Sequence, residues 1–201
     1  MRKKLVVGLI GQVCAGKSAV AAALRRRGAA VLDADGMVHG LYRRREVAAQ
    51  VRRLFGDGVM DRQGRVDRTA LGKLAFSDPP KLRLLTAKVV FPRARAAIRR
   101  AVAEFRRSRA SLLVLDAPTL VEAGLARLCD KLVFVAAPWA RRREWARARG
   151  WSSRELRKRA ALLLDQQAKR RAASAVIVND GTPAGVRMRV DSLLAAWGRE
   201  R

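Results

Sequence analysis

Five short apolar runs punctuate the chain, and between them the pattern changes to helical periodicity or turn residues. The runs are Leu5-Val6-Val7-Gly8-Leu9-Ile10, Ala29-Ala30-Val31-Leu32, Ser111 to Leu115, Lys131 to Ala136, and Ala175-Val176-Ile177-Val178. The unbroken apolar run from Ser111 to Leu115 reads as a buried parallel strand. The alanine-rich stretch from Lys17 to Arg27 suits a helix, with Gly28 as its stop. This β-loop-α-β order implies a parallel sheet.

Between the second and third runs the chain turns mostly helical. Val47, Val51 and Leu54 have helical spacing, 56–58 and 61–64 carry turn residues, and helices are predicted to start at Asp67 and near Ser77-Asp78-Pro79-Pro80. A longer amphipathic helix is predicted from Pro92 to Arg107. Residues Trp139 to Arg171 read as arginine-loaded helix with a break at Gly150 to Ser153, and Ala184 to Trp197 as the closing helix. The fold predicted is α/β, a parallel sheet of about five strands flanked by helices, in a single domain. Its core takes residues 1–38, 110–138 and 172–201, a helical insertion 39–109, and a helical lid 139–171.

Gly11-Gln-Val-Cys-Ala-Gly-Lys-Ser18 lies between the first strand and the first helix. The spacing G-x-x-x-x-G-K-[ST] in that context is a phosphate-binding loop, which makes the sheet of the P-loop NTPase type. Backbone N–H groups of Gly11, Val13, Cys14, Ala15, Gly16 and Ala19, together with the helix N-terminus, form a seat for phosphate oxygens. Lys17 reaches β- and γ-oxygens, and the Ser18 hydroxyl is placed to hold Mg²⁺. Asp33 and Asp35, and later Asp116, follow strand ends, the side of a parallel sheet on which ligands bind.

Composition changes this picture in one respect. Lys and Arg number 44 against 17 Asp and Glu, a formal net charge of +27. Such a field draws in anionic substrates and polyanions. The basic residues are spread along the chain, though, and aromatics are only 5%, too few for a base-stacking platform. Nucleic-acid binding is therefore expected as incidental and salt-sensitive. Two cysteines, Cys14 and Cys129, make neither a disulfide framework nor a zinc site. No apolar run approaches the length of a membrane span, and the first run leads into the phosphate loop instead of a cleavage site. The expected location is the cytoplasm, and the expected state a monomer or weak homo-oligomer.

Several segments, in order, resemble the dephospho-CoA kinase family over nearly the whole chain. These are the strand, loop and helix, then Asp33-Ala34-Asp35-Gly36-Met37-Val38-His39, then Asp116-Ala117-Pro118-Thr119-Leu120-Val121-Glu122, an arginine-rich lid, and Val176-Ile177-Val178-Asn179. The chain also departs from that pattern. Phe91 stands where the family has histidine before Pro92, Ile10 replaces a threonine, and Gln12 to Ala15 replace glycine and serine. The lid glutamine is displaced to Gln166 or Gln167, and Ser174 replaces an aspartate.

The resemblance implies transfer of the ATP γ-phosphoryl group to the 3′-hydroxyl of dephospho-CoA, with Mg²⁺. It implies Asp35 as the base on the acceptor hydroxyl, with Asp33 the runner-up or a magnesium partner through water. Lys17 acts on the phosphates, and one or two of Arg143, Arg147, Arg149 and Arg159 clamp ATP. Acceptor contacts are expected from Asp35, His39, Phe91, Asp116, Pro118 and Leu120, although Asp116 reads equally as a magnesium support or a turn residue. Trp139, Trp145, Trp151 and Trp197 read as packing residues. The alternatives are a kinase of another small molecule or nucleoside monophosphate, or a basic nucleic-acid-binding protein on a degenerate kinase scaffold.

Overall fold

A computed structural model describes residues 4–117, 119–163 and 165–199, with the side chains of Asp35, Phe76 and Arg199 outside that description. The chain divides into two compact units, Met1–Asp33 with Val102–Arg201, and Ala34–Ala101.

In the first unit, strand β1 (Leu5–Gly11) is buried along its whole length. It leads through the phosphate loop into helix α1 (Lys17–Arg26). Strand β2 (Ala30–Asp33) closes the first β-α-β turn. The second unit follows. It holds α2 (Ala34–Leu41), α3 (Arg45–Phe55), α4 (Arg68–Ser77), α5 (Pro79–Leu85) and most of α6 (Phe91–Arg107). The chain returns to the first unit with β3 (Leu112–Asp116) and β4 (Lys131–Ala136). After β4 come α7 (Trp139–Arg147), α8 (Ser153–Ala161) and α9 (Gln166–Ala172), over the segment expected to form a lid. Strand β5 (Ala175–Val178) and α10 (Pro183–Arg199) end the fold.

The five strands pair in the order β2-β3-β1-β4-β5, and every pairing is parallel. β1, the central strand, is therefore flanked by β3 and β4, and the phosphate loop leaves its carboxyl end where the strand order reverses direction. One apolar core joins the strands to α1 and α10 through Val7, Leu9, Val20, Leu24, Val135 and Val190. A separate core inside the second unit gathers Val47, Val51, Phe55, Leu71 and Val89.

Three local features differ from the sequence pattern. Helix α2 begins directly at Ala34, so Asp35 stands in its first turn and not at the end of a strand. The helix predicted from Pro92 starts earlier: a π-helical turn, Thr86–Val90, links α5 to α6 without a gap. A π-turn shifts the hydrogen-bond register by one residue, which lets a proline without an N–H pass through a helical run. The lid breaks a second time before α9, where Asp165 accepts hydrogen bonds from the backbone N–H groups of Gln167 and Ala168 as an N-cap.

Candidate active site

The phosphate loop is formed by close backbone approach at both ends. A Cβ at Gly11, with φ +147°, would lie 2.1 Å from the Val135 carbonyl oxygen; at Gly16, with φ +77°, it would lie 2.2 Å from Asn179 Nδ2. Only glycine fits either position. Between them Cys14 has φ 57°, the only non-glycine residue with positive φ among the described residues.

Side chains from distant elements hold the loop from outside. Arg142 Nε donates to the Val13 carbonyl at 2.8 Å, and Asn179 Nδ2 donates to the Ala15 carbonyl at 3.1 Å. Gln12 Oε1 accepts from the Ala137 N–H at 3.1 Å, while the Gln12 N–H donates to Val135 at 3.1 Å. With these carbonyls engaged outward, the N–H dipoles at the start of α1 remain for an anion. Arg142 is itself buried, which lowers its pKa, with the Cys14 thiol acting in the opposite direction.

Lys17 and Ser18 occupy the first turn of α1, Lys17 half-buried and Ser18 exposed. Beside the loop opens a cleft of about 620 Å³, lined in part by Ser18, Arg26, Trp145, Arg149, Asn179 and Arg187. Asp33 and Asp116 are register partners on adjacent parallel strands, and Asp116 is level with Leu9 of β1. Strands so paired lie about 4.8 Å apart, with the two side chains on one face. Two carboxylates thus stand together at the edge from which the loop departs.

The expected lid arginines separate by their contacts. Arg159 pairs with Glu155 at 2.7 Å and stacks on Trp151 with its guanidinium carbon 4.1 Å from the ring centre. Arg149 lines the cleft, with Nη1 3.8 Å from the Cys14 sulfur, and also faces Trp151. Arg143 is half-buried, and its Nε has no hydrogen-bond partner. Arg147 is exposed.

On the acceptor side, Leu120 needs correction: it is fully buried against Gly8 of β1, so its side chain belongs to the core and is not open to a substrate. Phe91 packs against the apolar core of the second unit, with the Arg95 guanidinium 5.7 Å from its ring centre. His39 is exposed, and its Nε2 lies 2.8 Å from Arg68 Nη2. Pro118 and the side chain of Asp35 lie outside the described residues. Glu122, from the same segment as Leu120, makes an ion pair with the fully buried Lys169.

Of the tryptophans, Trp197 is buried in the main core, and the Trp139 ring centre lies 5.3 Å from the Arg142 and 5.6 Å from the Arg157 guanidinium carbon. Trp145 packs against the main core and the small cluster around Cys14 and Leu156, as expected, and also lines the cleft. Sequence reasoning did not assign Gln12, Arg142 and Asn179 as loop supports. Asn179 stood in the quoted strand-end motif, but nothing local in the sequence signals the other two contacts.

A family model described as dephospho-CoA kinase matches residues 5–184. The dephospho-CoA kinase of Symbiobacterium thermophilum is 40% identical over 195 residues, covering 96% of this chain and 80% of that protein. That of Anaeromyxobacter dehalogenans is 38% identical over 194 residues, covering 94% and 90%. A crystal structure from Thermus thermophilus superposes with a TM-score of 0.77 at 34% identity, covering 96% of this chain and 98% of that one.

Proposed function

The chain belongs to the dephospho-CoA kinase family, which transfers phosphate from ATP to dephospho-CoA and so forms coenzyme A, and from this premise we propose how its residues divide that work. The observation that carries the proposal is the externally braced loop standing beside the Asp33–Asp116 pair.

ATP binds with its β- and γ-phosphates on the loop N–H groups and Lys17, and with its nucleoside in the cleft beside Trp145 and Arg149. Phosphoryl transfer asks for alignment and charge neutralisation more than covalent chemistry. Arg149 approaches the phosphates from the cleft. Arg143 is the second clamp that the family resemblance implies. Arg159 instead stiffens the lid through Glu155 and Trp151.

The donor set suits Mg²⁺, which takes one or two carboxylates together with substrate oxygens. Ser18, Asp33 and Asp116 supply oxygen ligands, directly or through water. Among the described residues no three His, Cys, Asp or Glu side chains gather into a dedicated cage, and Mg²⁺ needs none. When bound, the ion neutralises charge on the phosphates.

Asp35 accepts the proton of the acceptor 3′-hydroxyl and orients its oxygen. It follows Asp33 by two residues and opens α2, and it matches the second aspartate of the family motif. His39 contributes on the acceptor side. No described helix is long and apolar enough to cross a membrane; the enzyme works in the cytoplasm.

The test is incubation with ATP, Mg²⁺ and dephospho-CoA, following coenzyme A and ADP. Asp35→Asn should lower kcat by roughly 10²-fold or more, the scale of general-base catalysis. Turnover unchanged by Asp35→Asn removes the base assignment, and turnover unchanged by Lys17→Ala removes the phosphate-loop reading. A folded protein that ignores dephospho-CoA but phosphorylates another small acceptor refutes the substrate.

A further inference from the structure

The cleft beside the phosphate loop extends along the first helix to its far end, where two arginines stand that phosphoryl transfer does not use. Its walls include Ser18, Ala19, Ala22 and Arg26 of α1, and Val186 and Arg187 of α10. The spacing of Ala19, Ala22 and Arg26 puts all three on one stripe of α1, and the two alanines leave a groove. Arg26 follows Ser18 by a little more than two turns, about 12 Å along the helix axis.

Two ties fix how α10 lies beside that stripe. Asn179 Nδ2 donates to the Ala15 carbonyl and Arg27 Nε to Asp191, each across 164 positions. Equal separations at the two ends mean that α1 and α10 run side by side in one direction. Arg187 therefore stands level with Ala23, within one turn of Arg26. Both arginines are exposed. Helical side chains lean toward the N-terminus, which turns Arg26 back along the groove toward the loop.

The charge of this end is not balanced from within. Among the described residues no Asp or Glu lines the cleft, whereas Arg26, Arg149 and Arg187 do. The two carboxylates that flank Arg187 in the chain are engaged by other arginines. Asp191 gives one oxygen to Arg27 Nε at 2.6 Å and the other to Arg27 Nη2 at 2.5 Å, and Asp180 pairs with Arg189 at 2.8 Å. The bond to Arg27 foremost holds the Asp191 carboxyl below its usual range, desolvation opposing, and Arg187 adds a weaker pull through space.

The loop and the arginine pair are thus two cationic seats joined by a groove of small apolar side chains. ATP fills only the first, since its ribose hydroxyls carry no charge. A nucleotide phosphorylated on both its 5′ and its 3′ side answers both, because the ribose holds its phosphates apart. Planar guanidinium forks match phosphate oxygens.

We propose that Arg26 and Arg187 form a second phosphate subsite in the ATP cleft, which takes the 3′-phosphate of an adenine nucleotide whose 5′-phosphates lie on the loop. The statement rests on the kinase reading, which puts ATP at the loop end. Such a nucleotide displaces ATP. Two sources share this chemistry: a free 3′-phosphorylated adenine nucleotide, and coenzyme A, whose 3′-phosphate this reaction installs. In the second case the product restrains its own formation.

The probes are ADP and ADP bearing a 3′-phosphate, titrated by calorimetry into the full chain with dephospho-CoA saturating, so that the acceptor side is filled. The wild type should bind the 3′-phosphorylated form about tenfold or more tighter than ADP, the scale of a charge-assisted contact, and ATP should displace it. In Arg26→Gln/Arg187→Gln protein the ratio of the two dissociation constants should fall to near one, whatever happens to ADP itself. Arg26→Lys/Arg187→Lys protein, which keeps the charge without the forks, should retain part of the ratio. A wild-type ratio near one, or a ratio untouched in the glutamine pair, overturns the proposal. Thermal melting checks each variant; if the glutamine pair does not fold, Arg26→Gln and Arg187→Gln singly carry the same test, and two unmoved ratios overturn it. Coenzyme A separates the sources. Inhibition competitive with ATP and relieved in the glutamine pair assigns the product as occupant, whereas inhibition competitive with dephospho-CoA alone supports the free nucleotide. A wild type inert toward dephospho-CoA refutes the kinase reading, and the ADP ratio, which needs no turnover, still decides the subsite.

Discussion

Asn179 is the sharpest point at which to perturb the braced loop. It is 3% exposed, and its amide works in two directions: Nδ2 donates to the Ala15 carbonyl at 3.1 Å, and Oδ1 accepts from the Gly181 N–H at 3.0 Å. Replacement by alanine leaves the Ala15 carbonyl, on a fully buried residue, without its donor. A buried polar group so orphaned costs about 1–3 kcal/mol, and loss of the more accessible Gly181 bond about 1 kcal/mol more. The expected destabilisation is therefore about 3 kcal/mol, or about 6–12 °C in Tm for a chain of this size. Asn179→Asp separates the two bonds, because a carboxylate still accepts from Gly181 but cannot donate to Ala15. It also sets a negative charge behind the phosphate seat. Thermal unfolding by circular dichroism measures the stability, and KM for ATP reports the loop. Asp should lose nearly as much Tm as Ala and raise KM for ATP further. An Asp variant with wild-type Tm and wild-type KM would refute the idea that the Ala15 bond holds the loop.

Three further outcomes follow from the geometry. Gly16→Ala should lose ATP binding and destabilise the fold by at least about 2 kcal/mol, from overpacking against Asn179 and a left-handed backbone; urea unfolding checks it, and a wild-type midpoint contradicts it. Lys169→Met should cost about 3–5 kcal/mol by leaving the Glu122 carboxylate without its buried cation, whereas Lys169→Met/Glu122→Leu should recover most of the loss; a double mutant no better than the single one rules this out. The Asp180 carboxyl is lowered to about 2, first by the Thr182 N–H, then by the Thr182 hydroxyl and Arg189. A depressed folded pKa means stability that is complete above the unfolded value near 4 and is lost as pH falls through 2. The stability gap between wild type and Asp180→Asn should accordingly hold from pH 7 to 5 and close toward pH 2; a gap that widens with acid would reverse the sign.

How much was legible in the chain depended on how local each signal was. The strands showed themselves because a parallel strand covered on both faces must be apolar throughout, as β1 is. The phosphate loop showed itself because its glycines answer to backbone crowding within one short segment. The proline rule misplaced the start of α6, since a π-turn upstream relieved the constraint it relies on. The second lid break was signalled only by Asp165, a single capping residue inside an arginine run. Least legible were the braces, because Arg142 meets Val13 across 129 positions, Gln12 meets Ala137 across 125 and Asn179 meets Ala15 across 164. Such pairings arise only from the strand order. Leu120 misled for the opposite reason: it stands in a motif beside Pro118, yet Gly8 of the central strand leaves room for its side chain in the core.

The braces also bear on the thermodynamics of nucleotide capture. A phosphate loop that ordered only on meeting its ligand would give up about 1–2 kcal/mol of backbone entropy for every residue fixed. In this chain Val13 and Ala15 are already tied, through Arg142 and Asn179, to elements that form with the sheet, so that loss falls on folding and not on ATP. Association should consequently run at a rate set by diffusion and the positive field, with little lag for loop rearrangement. Because the braces engage loop carbonyls and leave N–H groups for the anion, the loop amide hydrogens should exchange readily in the nucleotide-free enzyme and become protected when ATP binds.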